Sequence, residues 1–92
     1  MLPPLSPLMR SVLLRFDSET TETDVTQFLD EESVREPATR ARAVLEALCN
    51  IGTLHREGAV YRVTQRGERV RDQLLADLAE QARAARPVRR RT

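Results

Sequence analysis

Between Gly52 and Thr64 the apolar residues of this chain change their spacing twice, and that constrains the fold more than any other feature of its 92 residues. Before this stretch, Ala41, Val44, Leu45 and Leu48 recur at i, i+3, i+4 and i+7, a single apolar face on a helix. Within it, Tyr61 and Val63 stand two apart, which puts both on one face of a strand. After it, Val70, Leu74, Leu78 and Ala82 return to helical spacing, with Leu75 and Ala79 beside them. The middle is read as a hairpin of two extended runs, 53–56 and 59–63, joined through Glu57 and Gly58, with Val60, Tyr61 and Val63 as strand formers. Gly52 supplies the left-handed cap that ends the preceding helix near Ile51. Thr64 caps the following helix, predicted over residues 65–86.

Upstream, the punctuation predicts two further helices. Ser6 followed by Pro7 joins an N-cap oxygen to a proline at the first helical position, and Leu8, Met9, Val12, Leu13 and Phe16 carry the helix over residues 7–17. Ser18 to Thr21 reads as a polar connection. Thr21 then caps a second helix, with Glu22 and Asp24 in its first turn where acids suit the helix dipole, and with Val25, Phe28 and Leu29 as its apolar stripe. That helix frays by Glu32, and Pro37 starts the third. The prolines after Met1-Leu2 make an extended arm. Pro87 stops the last helix ahead of a basic tail, Val88 to Thr92. The chain divides into an arm (1–6), a domain (7–64), a C-terminal helix (65–86) and a tail (87–92). The expected class is mainly α with a small β-hairpin.

The length allows one domain and not two. Aromatics make up only 3% of residues and Trp is absent, so the core must be aliphatic. The formal net charge of +1 conceals a strong asymmetry: residues 1–36 hold three Arg against eight acids, whereas residues 37–92 hold twelve Arg against six. Such a split suggests one surface for an anionic partner and another for something else. All fifteen cations are Arg, which fits either a GC-rich coding sequence or bidentate phosphate recognition.

Cys49 is the single cysteine, which leaves no internal disulfide or Cys-based zinc site, and it reads as a small residue at the core edge. His55, the one histidine, has no partner at metal-ligand spacing and reads as a surface residue, so no metal is expected. No Gly-rich phosphate loop or nucleophile–base pattern is present in the sequence, so no catalytic residues, no cofactor and no enzyme are expected. No apolar run approaches ~18 residues, and the N-terminus lacks a signal-peptide pattern, so the expectation is a cytoplasmic protein with no membrane association.

The stretch Leu45 to Gly67 resembles the segment running from recognition helix to wing in winged-helix transcription regulators. Those proteins commonly carry Leu-x-x-Leu-x-x-x-Gly-x-Leu, a hairpin, then Tyr-x-Leu/Val-Thr-x-x-Gly. Here Leu45, Leu48, Gly52, Leu54, Tyr61, Val63, Thr64 and Gly67 fall on that pattern without gaps. The resemblance implies a winged helix-turn-helix, three helices, a wing and a fourth helix, and sequence-specific binding of double-stranded DNA by a small transcriptional regulator. One departure is the link Asp30 to Glu36, which is longer, more acidic and glycine-free than the usual turn between the second and third helices.

With the apolar face of the third helix buried, Thr39 and Ala43 fall at the centre of its exposed face, flanked by Arg40 and Arg42. These four are the candidate major-groove residues. Arg56 and Arg62 in the hairpin, and Arg89, Arg90 and Arg91 in the tail, are the candidate phosphate contacts. The last helix is longer than so small a core can cover, and Leu74, Leu75, Leu78 and Ala82 make the candidate homodimer surface. The alternative is a winged-helix module for protein–protein interaction within a larger transcription or chromosome-organising complex. The acids around the second helix favour it, since they would repel a nearby phosphate backbone. Asp30 to Glu32 is either a solvated helix end or a place for a cation or a basic protein partner.

Overall fold

The computed structural model describes residues 4–85, the side chain of Ala85 excepted. Its elements are α1 (Pro7–Arg15), β1 (Glu19–Thr21), α2 (Glu22–Glu31), α3 (Pro37–Asn50), β2 (Leu54–Glu57), β3 (Val60–Val63) and α4 (Gln65–Ala85). Four helices and a small three-stranded antiparallel sheet therefore make up the described chain. The tail arginines Arg89, Arg90 and Arg91 and the arm residues 1–3 lie outside the described residues.

Local chemistry accounts for most of the helix ends. Ser6 Oγ accepts the Met9 backbone N–H at 3.2 Å, while Met9 Sδ accepts the Ser6 N–H, so the two ends of the first turn satisfy each other. Thr21 Oγ1 does the same for Asp24 at 3.1 Å. The C-terminus of α3 is a Schellman motif. Thr53 N–H donates to the Leu48 carbonyl and Gly52 N–H to the Cys49 carbonyl, both at 3.0 Å, with Gly52 at φ +82°. The glycine-free end of α2 has the same pattern. Val34 N–H reaches the Leu29 carbonyl at 2.9 Å and Ser33 N–H the Asp30 carbonyl at 3.0 Å, but here the left-handed residue is Ser33, at φ +61°. Glu36, just before Pro37, is also left-handed, at φ +50°. The long link thus turns twice without a glycine.

Three sequence expectations need correction. Helix α1 stops at Arg15, two residues early, because Phe16 is already extended. The supposed polar connection contains β1, which pairs with β3 and places that strand centrally, in the order β1-β3-β2. Thr20 is buried in this strand. A three-residue strand has too little periodicity to declare itself, and its pairing partner lies about forty residues away in sequence (Glu19 opposite Arg62). The hairpin register, Glu57 opposite Val60, shifts the two-residue turn to Gly58-Ala59. Gly58 is at φ +63° and Ala59 is not left-handed, the φ signs of a type II′ turn.

Leu13, Leu29, Leu45, Leu48, Val12 and Val25 are the largest fully buried aliphatics, drawn from α1, α2 and α3, and Leu54 and Tyr61 close the core from the sheet. Phe16 and Phe28 meet edge-to-face at 5.9 Å, with the Arg15 guanidinium 5.1 Å from the Phe16 ring. The first half of α4 belongs to this core through Val70 and Leu74. Arg71 fastens it to α1 by donating to the carbonyls of Leu13 and Leu14 at 3.0 and 3.3 Å, two of the groups a helix C-terminus leaves unpaired. Beyond Leu74 the apolar residues of the helix open to solvent: Leu75 and Leu78 are 42% and 47% exposed. No helix among the described residues is long and apolar enough to cross a membrane.

Candidate nucleic-acid interface

Helix α3 has one buried and one open face. Ala41, Val44, Leu45 and Leu48 are buried, and Thr39, Arg40, Arg42 and Ala43 are exposed. The four predicted groove residues therefore share a surface. Their surroundings differ. Arg42 Nη2 lies 3.4 Å from Glu22 Oε2 at the start of α2, an exposed ion pair. Arg40 makes no ion pair among the described residues. It sits instead on the rim of a shallow groove of about 420 Å³, where Ala43, Val44 and Ala47 of α3 face Leu8 and Met9 of α1.

The sheet presents a second polar surface. Strand alternation turns Tyr61 toward the core and Arg62 outward. Arg62 lies opposite Glu19 across β1 and opposite His55 across β2. Its Nη1 is 3.0 Å from Glu19 Oε1, and its Nε donates to Glu57 Oε1. The hydrogen bond to Glu57, reinforced by the charges of Glu19 and Glu57, holds the guanidinium pKa above its ordinary value. Arg56 folds back on the hairpin: Nε donates to the Gly58 carbonyl at 2.8 Å, and the guanidinium lies 5.7 Å from the Tyr61 ring centroid. The two predicted phosphate contacts are thus exposed, one between two carboxylates and the other against its own turn.

Those carboxylates are what reading the sequence missed. Glu19 stands on a strand too short to show a periodicity, and Glu22, which suits the helix dipole by its position in sequence, meets Arg42 only in the fold. Glu57 could have been found, since a β2 residue next to the turn falls diagonally across from β3.

The remaining candidates separate cleanly. Leu74 packs inside its own domain and cannot be given to a partner without opening the core. Leu75, Leu78 and Ala82 are exposed, and Leu78 borders a cleft of about 570 Å³ between α1 and α4 with Leu14, Arg10 and Asp77. Asp30 lines an open groove with Glu22 and Thr26, while Glu31 and Glu32 are exposed. Cys49 is half-buried at the core edge, and burial pushes its thiol pKa up. No group of three or more His, Cys, Asp or Glu suited to a metal ion occurs among the described residues. Known protein families, curated proteins and solved structures offer no match to this chain.

Proposed function

We propose that this chain is a winged-helix domain that binds double-stranded DNA as a small homodimeric transcriptional regulator, with α3 in the major groove and the β2–β3 hairpin as a wing on the backbone. The observation that carries the reading is the division of α3. One face supplies the centre of the core, and the other offers Thr39, Arg40, Arg42 and Ala43 side by side in the open. A rigid helix held this way brings side chains to base edges with little loss of freedom. The element order, with a short strand between the first two helices and a hairpin after the third, is compatible with a winged-helix layout and supports the same reading. Leu75, Leu78 and Ala82 supply an apolar face on the projecting half of α4 for a symmetric partner.

A second reading, a winged-helix module for protein interaction, is favoured by the ion pairs. Arg42 and Arg62 already face carboxylates, which would have to yield to phosphate.

Titrating the full chain into fluorescent duplexes at several salt concentrations separates the two. DNA binding predicts a log–log salt slope near −0.9 per phosphate neutralised. Arg40→Ala is expected to lose ~1–3 kcal/mol on a preferred site and less on random duplex. Absence of binding to any duplex at low salt gives the lead to the protein-interaction reading. Sedimentation tests the dimer: Leu78→Asp should leave a folded monomer.

A further inference from the structure

Glu19 and Glu57 are bound to Arg62, one of the two hairpin arginines that touch a phosphate in the DNA-binding reading. They approach it from different strands, one on each side of β3, and the sheet register holds both there. This differs from a chance surface pair. Arg62 has the middle strand's outward position, Glu19 is its direct cross-strand neighbour, and Glu57 is its diagonal neighbour on the other side. The arrangement satisfies Nη1 and Nε of the guanidinium with carboxylate oxygens, the same chemistry a phosphodiester would offer. All three side chains remain more than half exposed, so the exchange needs no opening of the fold. The three together carry two negative charges against one positive.

We propose that Glu19 and Glu57 form a carboxylate gate: they act as internal phosphate mimics that occupy Arg62 and set the domain's affinity for polyanions. The inference rests on the DNA-binding reading and adds to it two residues that weaken binding. The backbone of a nucleic acid gains the Nε and Nη1 donors of Arg62 only by displacing the carboxylates, and it approaches their charge as it does so. Affinity is therefore held down on every sequence alike. Discrimination between sequences falls to α3, whose Arg40 has no such partner among the described residues.

A double-mutant cycle on the full chain tests this, with the same fluorescent duplexes. The proteins are the parent, Glu19→Gln/Glu57→Gln, Arg62→Gln, and the triple variant. A Glu31→Gln/Glu32→Gln control removes the same charge at exposed positions away from the sheet. Exposed ion pairs are weak, so the gate variant should bind roughly three- to tenfold tighter than the parent on specific and random duplex alike. Its salt slope should steepen by about 0.9, because Arg62 then neutralises one more phosphate. When Arg62 is Gln the tightening should fall to that of the control, because beyond the general loss of charge the carboxylates act through that side chain. The control should tighten less than the gate variant. If the parent binds and the gate variant binds no tighter, or tightens equally without Arg62, the gate is overturned and the DNA reading stands. If neither binds any duplex at low salt, both fall. Binding by the gate variant alone supports both.

Discussion

Residues 45–67 and residues 16–36 cover similar lengths of chain and both combine turns, strand and helix, yet they are built by different means. In the first, each backbone position in need of freedom has a glycine. Gly52 turns the chain out of α3, Gly58 starts the hairpin turn, and Gly67 allows α4 to touch the loop behind it. In the second, Ser33 and Glu36 are left-handed without glycine, and β1 is a strand because β3 lies beside it. The difference teaches where local chemistry dictates conformation and where the assembled fold imposes it. It also divides the charge: the carboxylates that engage the arginines of α3 and β3 come mostly from residues 16–36, as Glu19 and Glu22.

Substitutions can break this contrast. The largest effect should come from Leu48→Ala, which removes a fully buried side chain and should cost ~2–5 kcal/mol, a large share of the ~5–10 kcal/mol stability of such a domain. Denaturant titration that left the midpoint unchanged would mean that α3 is misplaced.

Gly67→Ala comes next. A methyl there would stand 2.1 Å from the Thr53 carbonyl oxygen and 2.9 Å from Val63 Cγ1, so backbone must move, at roughly 3 kcal/mol. A thermal melt resolves a change of that size.

At Gly52 the space is less restrictive than the torsion. Alanine would sit at φ +82° with its methyl 3.3 Å from the Arg66 Cδ, and the strain of a left-handed alanine, less the entropy it removes from the unfolded chain, leaves a loss of about 1 kcal/mol.

Ser33→Gly should run the other way and give the smallest effect. It relieves the same strain at the matching motif of α2 and should stabilise the domain by about 0.5 kcal/mol. If Ser33→Gly destabilises by as much as Gly52→Ala, the two helix ends are not equivalent, and the serine has a role its backbone does not explain.

Much of the fold is legible in the sequence. The caps Ser6, Thr21 and Thr64, the proline starts at Pro7 and Pro37 and the glycine stop at Gly52 all act within a few residues of themselves, where sequence neighbours are also spatial neighbours. The exposed quartet on α3 follows from helical periodicity alone. The surroundings of the candidate site are much less legible. Arg42 and Arg62 are recognisable as exposed cations, but Glu22 lies twenty residues from Arg42 and Glu19 forty-three from Arg62. Nothing in the pattern around either arginine announces them.

What the sequence by itself determined was the run of helices, the hairpin, and which faces of α1, α2 and α3 are apolar, because caps, turns and periodicities operate over one or two turns of chain. What only the tertiary structure decided was the third strand, the assignment of Leu74 to the core and of Leu78 to the surface, and the ion pairing of the arginines. Leu74 and Leu78 share the stripe of one helix and differ in how completely the rest of the domain covers them. Strand pairing, burial and ion pairing all depend on groups distant in sequence, and only the closed chain brings those groups together.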